Sequence, residues 1–231
     1  MSTEGGGMRW FSPITFVLKP LIRHDQQLKR RRVEAAMPRT QLRPEHVARC
    51  QVLLDREVLL AQLPPGGVAA ELGVDQGDFT QAILRLARPR QLHLVDSWAT
   101  KRYNDDKAQR VKDRFADQIA AGQVTLRRQL SLAAAPTFED ASLDWIYIDS
   151  SHAYGVTAAE LRAYAPKIKP GGIIAGHDYS MGNWIKGFRF GVIEAVHEFC
   201  FEQDWELRYL TVQRMERPSF AISRRQRPED R

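Results

Sequence analysis

Two apolar runs in this sequence end in a carboxylate and an imidazole. "LDWIYIDSSHAYG", residues 143–155, passes from Leu143, Trp145, Ile146, Tyr147 and Ile148 to Asp149 and then His152. "GGIIAGHDY", residues 171–179, passes from Ile173, Ile174 and Ala175 to His177 and Asp178. Two buried strands that finish with the same residue types point to one site built at the strand tips. Histidine, with a reference pKa of about 6.5, suits general base work near neutral pH.

A third stretch reads as a cofactor loop. "ELGVDQGDF" holds Gly73 and Gly77 four residues apart, between an apolar strand and a helix. Glycine tolerates positive φ and lets a ligand approach the backbone. The dinucleotide pattern G-x-G-x-x-G is absent, and Asp75 and Asp78 at the helix start are unfavourable to a pyrophosphate. A cationic or zwitterionic cofactor fits better. Nineteen residues beyond Gly77, Asp96 closes the next strand, where a carboxylate can accept hydrogen bonds from ribose hydroxyls.

The elements that must position these residues alternate regularly. Strands are predicted at 68–73, 91–96, 123–129, 143–149 and 171–178, and two closing strands at 206–212 and 219–223. Helices are predicted at 78–87, 105–120, 155–168 and 191–202, with a weak one at 131–141. A leading helix over 44–63 is expected from the spacing of Val47, Cys50, Leu54, Val58 and Ala61. Such alternation gives right-handed βαβ units. The expected fold is α/β, doubly wound: a mostly parallel seven-stranded sheet with helices on both faces and an antiparallel edge hairpin. Ligands of such sheets bind beyond the carboxyl ends of the strands. Residues 1–43 read as a basic, irregular extension, 44–223 as the domain, and 224–231 as a basic tail.

The bulk properties exclude several classes. At 231 residues with 27% charged side chains, the chain fits one large globular domain. No apolar run approaches the roughly 20 residues of a membrane span, and "WFSPITFVLKPLI" is a poor signal peptide, broken by Pro13 and Pro20. Two unpaired-looking cysteines, Cys50 and Cys200, favour a reducing, cytoplasmic setting. The net charge of +6 sits in the tails: residues 50–212 carry 18 basic against 21 acidic side chains. No specific nucleic-acid partner is expected, since no basic stripe interleaved with aromatics accompanies that charge. A homo-oligomer is compatible with the sequence.

The succession "VAAELGVDQGDFT", "LHLVDSW", "LDWIYIDSSHAYGVTAAEL", "KIKPGGIIAGHDY" and "GVIEAVHEF" resembles class I S-adenosylmethionine-dependent methyltransferases, over roughly residues 50–223. It looks most like the bacterial branch of metal-dependent sugar and natural-product O-methyltransferases. The resemblance implies S-adenosylmethionine as cofactor, with Glu71, Gly73 and Gly77 on the methionine side and Asp96 on the ribose. It puts Ser131 at the adenine and lets Trp98 pack on that ring, line the entrance or sit in the core. It also implies a divalent metal, Mg²⁺ or Mn²⁺ with Fe²⁺ or Zn²⁺ as alternatives, held by Asp149 and Asp178 with His177 and His152 added. Ser151 stands where many relatives carry a second acid, which leaves His152 as base or ligand. The implied reaction is methyl transfer to a hydroxyl of a small acceptor, a sugar or secondary metabolite. Tyr154, Tyr179, Asn183, Trp184 and Arg189 are expected in loops flanking that acceptor. Two other readings share these features: a non-catalytic S-adenosylmethionine-binding module and a nicotinamide-dependent oxidoreductase.

Overall fold

The computed structural model describes residues 27–28, 31–183, 188–214 and 216–226. "WFSPITFVLKPLI" and Trp184 lie outside the described residues, as does the tail beyond Gln226. The chain divides into two compact units, residues 1–37 and 38–231. In the first, residues 31–36 are helical.

The second unit holds the sheet. Its strands are β1 (Gln51–Leu53), β2 (Val68–Leu72), β3 (Gln91–Asp96), β4 (Val124–Arg128), β5 (Leu143–Ile148) and β6 (Ile168–Gly176). A two-stranded ribbon, β7 (Gly182–Asn183) with β8 (Phe188–Arg189), stands apart, and β9 (Trp205–Thr211) and β10 (Phe220–Arg224) complete the sheet. The order is β1-β9-β10-β6-β5-β2-β3-β4. Within this eight-stranded sheet all pairings are parallel except those of β10, which runs antiparallel to both β6 and β9.

The helices are α1 (Arg56–Leu60), α2 (Asp78–Leu86), α3 (Asp105–Arg114), α4 (Ala116–Ala120), α5 (Ser131–Ala134), α6 (Tyr154–Tyr164) and α7 (Val192–Gln203). They cover both faces of the sheet, so the central strands are apolar on both sides. Every residue of β2 is buried. Along β5, Ile146 and Ile148 enter one apolar cluster while Trp145 and Tyr147 enter the other. This is the period of two expected of a strand covered on both faces. Each fully buried aliphatic side chain contributes about 1.5–3 kcal/mol.

One expectation fails. The leading helix over 44–63 is instead a 3₁₀ turn at Pro44–His46, the strand β1 and the short α1. Asp55 stops the preceding strand and caps α1, its carboxylate accepting from Val58 N at 2.8 Å. The released segment pairs in parallel with β9, Gln51 beside Tyr209. The sheet therefore has eight strands, and the closing hairpin is flanked rather than terminal.

Candidate active site

The chain runs outward through β2, β3 and β4 to one edge, then returns to place β5 beside β2. The strand order reverses there, and the loops after β2 and β5 must part around a crevice. They begin in contact. Gly73 N donates to Val95 O at 2.9 Å, and Asp149 N donates to Leu72 O at 2.7 Å. Gly73 has φ +92°, and a Cβ there would lie 2.3 Å from the Asp149 carbonyl oxygen. Only glycine fits. Gly77, at φ +82°, starts α2 where a Cβ would meet the Phe115 ring at 2.7 Å. A cleft of about 660 Å³ opens above these loops, lined among others by Glu71, Gly73, Asp96, Ser131, Asp149 and His152.

Asp96 organises the cofactor end. Its Oδ2 accepts from Val74 N at 2.9 Å and Asp75 N at 3.1 Å, and its Oδ1 accepts from Trp98 N at 3.0 Å. A carboxylate offers about four acceptor sites. Two secure the glycine loop, a third holds the turn at Trp98, and one is left for a ligand. Glu71, 1% exposed, accepts from the Thr80 hydroxyl at 2.5 Å. Burial pushes its carboxyl up to about 8, so it is mostly protonated at neutral pH. Ser131 and Ser150 both donate to Glu160 Oε1, the latter at 2.5 Å, and Glu160 is fully buried with its carboxyl raised by burial.

Trp98 does not line the cleft. It is 2% exposed, sits in the core cluster with Val74 and Phe115, and donates from Nε1 to Asp75 O at 2.8 Å. Its backbone φ of +43° turns the side chain down into that core. Its role is to hold the loop from below.

At the reactive end Asp178 is 3% exposed, at φ +57°. Its Oδ2 accepts from His152 Nδ1 at 2.8 Å, and its Oδ1 faces the Arg217 guanidinium at 3.3 Å. The His152 side chain is 44% exposed and its ring lies against Phe190, with centroids 4.4 Å apart. Because Nδ1 carries the proton given to Asp178, the neutral ring presents a lone pair at Nε2. The Asp178 hydrogen bond raises the His152 pKa above its ordinary value, against an opposing effect of burial. Burial, then the charge of Asp178, pushes Asp149 up to about 7. His177 is turned to Ser219, Nδ1 to Oγ at 3.0 Å, and burial holds it down at about 4.

The four residues expected to bind a metal are thus not gathered as a ligand set. Among the described residues, no group of three or more His, Cys, Asp or Glu side chains is arranged to hold a metal ion. The physical reason is visible: His152 and Asp178 bind each other, His177 engages a hydroxyl, and Arg217 supplies cationic charge beside Asp178. Nor do the expected acceptor loops reach the cleft as a group. Tyr154 donates to Glu198 at 2.6 Å, the Tyr179 hydroxyl bonds His197 Nε2 at 2.6 Å, and Arg189 pairs with Glu194. All three partners lie on α7. Asn183 sits in the β7–β8 ribbon.

The methyltransferase-domain family model matches residues 70–179, which span the cofactor loop, Asp96 and both strand tips. Over residues 70–179 the chain is similar to a methyltransferase domain. Solved structures share its fold. A protein of Corynebacterium glutamicum aligns over 87% of this chain and 89% of its own, at 12% identity and a TM-score of 0.55. A Clostridium thermocellum protein described as an rRNA methylase aligns over 73% and 92%, at 16% identity and a TM-score of 0.53. A Streptococcus mutans protein described as a methyltransferase, solved in complex with SAH, aligns over 79% and 97%, at 14% identity and a TM-score of 0.50. No curated protein matches the chain.

Among the cleft residues that escaped the sequence reading are Arg56, Glu160 and Arg217. Arg56 lies over the Phe79 ring at 4.7 Å and pairs with Glu216 at 2.9 Å. Glu160 had a signal, a lone carboxylate on the buried stripe of α6 with Thr157, Leu161 and Tyr164. The two arginines had none, since chain segments outside the matched motifs bring them in.

Proposed function

We propose that the protein transfers the methyl group of S-adenosylmethionine to a hydroxyl of a small acceptor, with His152 as the base. One observation carries this reading: a half-exposed imidazole, fixed through Nδ1 by a buried carboxylate at 2.8 Å, lines the same cleft as the cofactor loop. The acceptor oxygen attacks the sulfonium methyl carbon, and the carbon–sulfur bond breaks as the carbon–oxygen bond forms. The hydroxyl proton passes to His152 Nε2, and Asp178 stabilises the resulting imidazolium. The products are the methyl ether and S-adenosylhomocysteine. In this reading Asp96 uses its remaining acceptor site on a ribose hydroxyl, and Ser131 and Glu160 face the adenine end. Arg217 does for the Asp149/Asp178 pair what a cation would do, lowering the repulsion between two carboxylates. No step is routed through a metal.

The test is methyl transfer from labelled S-adenosylmethionine to a panel of sugars and hydroxylated aromatics, with and without a chelator. His152→Gln should lower kcat about 10²–10⁴-fold and leave cofactor affinity unchanged. Undiminished turnover in His152→Gln, or methylation of no hydroxyl in the panel, would overturn the proposal.

A further inference from the structure

A second cavity, of about 480 Å³, lies at the other end of the sheet. The methyl cleft opens beyond the carboxyl ends of the parallel strands. This cavity is lined by the amino-terminal half of β6, at Pro170, Gly171 and Ile173, and by the carboxyl end of the antiparallel β10. Its charged lining consists of Arg49, Arg208, Arg224 and Arg225, with Tyr209 and Ser223 between them. Among the described residues no carboxylate lines it.

The acids that touch these arginines hold them from behind. Glu206, 1% exposed, accepts from Arg49 Nε at 3.2 Å and stands 3.5 Å from Arg208. Asp204 accepts from Arg225 Nε at 2.6 Å. Arg224 donates to Ala165 O at 3.0 Å and lies over the Trp205 ring at 5.2 Å. Among the described residues, four guanidinium groups stand against two carboxylates here. Arg49 donates from Nε and Nη2 to Glu206 and from Nη1 to Gln226. Glu206, Asp204 and Trp205 fix the guanidinium planes of Arg208, Arg225 and Arg224 through contacts that engage only part of their five N–H donors each. A planar fork of donors, held in place, matches the oxygens of a phosphate. The volume falls within the range of small-ligand sites. A merely solubilising surface has no need to gather one sign of charge in a concavity.

We propose that this cavity is a binding site for a phosphate-bearing anion, separate from the methyl-transfer cleft. The phosphate could belong to a free small molecule or to a nucleic-acid backbone, and the two sources are separated by the probes. Full-length protein is titrated with inorganic pyrophosphate by calorimetry, and with a short labelled single-stranded RNA by anisotropy. Binding of either is expected to weaken steeply with salt. Arg208→Gln combined with Arg225→Gln should weaken the probe that binds by about tenfold or more, with S-adenosylmethionine affinity unchanged. That double variant keeps the Arg49–Glu206 pair, so the buried acid is not orphaned. Arg85→Gln, which removes an exposed arginine paired with Glu57 elsewhere, should bind as the wild type does. A measurement independent of variants is phenylglyoxal modification mapped by mass spectrometry, in which the bound probe should slow reaction at Arg208 and Arg225. Binding of neither probe, equal binding by the double variant, or no protection of these arginines would overturn the proposal.

Discussion

Glu71 holds a proton that the unfolded chain would release. Its carboxyl ordinarily titrates at 4.5 and is pushed up to about 8 by burial. The stability it contributes is therefore complete below pH 4.5 and is lost as pH rises through 8. The full difference amounts to about 5 kcal/mol. Asp149, raised to about 7, acts in the same direction over a lower window. Glu71→Gln should thus narrow the fall in urea midpoint between pH 5 and pH 8, and an unchanged fall would show that Glu71 is ionised in the fold. His152 gives the second prediction at this scale. As a base it must be neutral, so kcat/KM should rise with pH through its raised pKa. Asp178→Asn removes the main cause of that elevation, and the acidic limb should move to lower pH, with a lower plateau. A limb that stays in place would assign it to another group, Asp149 first.

The glycine loop and its neighbours show how elements place these residues. Gly73→Ala sets a methyl group 2.3 Å from the Asp149 carbonyl at a left-handed φ. The cost should be about 2–5 kcal/mol, combining backbone strain with overpacking, and cofactor affinity should fall with it. Chemical denaturation and cofactor titration read the two effects separately. Asp55→Ala removes the cap of α1 and should cost about 1 kcal/mol in the urea midpoint. Much of this architecture was legible in the sequence, because alternating apolar runs and turn glycines are local signals. The strand tips at Asp96, Asp149 and Asp178 follow from them directly. The 44–63 segment misled because Val47, Cys50, Leu54 and Val58 do fall at helical spacing. What overrides that spacing is pairing with β9, some 158 residues later, which no local pattern records. Trp98 is a case of direction: its ring goes inward because of one positive φ and one carbonyl, Asp75 O. The expected metal ligands are not gathered among the described residues for a related reason. Residue types announced ligands, but their hydrogen-bond partners, Ser219 and Arg217 among them, come from the β9–β10 connection.

For the whole molecule, residues 38–231 contain both apolar clusters and the cleft. Deleting residues 1–37 should leave S-adenosylmethionine affinity within about twofold and the urea midpoint nearly unchanged, the ordinary expectation for residues outside a core. A large loss of either would make the first unit part of the fold. The pairing of Gln51 with Tyr209 has an effect on the order of events at the ribosome. Synthesis is vectorial, and contacts between distant segments form late. Strand β1 emerges early but has no neighbour until β9 follows, so α1 and its Arg56 dock only after β9 has been made. Arg217 and Ser219 arrive at the same stage. A nascent chain halted after Gly176 would own the glycine loop, Asp96 and Asp149, yet lack Asp178 and the β9–β10 connection that secures it. The cleft closes around a cofactor only once the β9–β10 connection has been made.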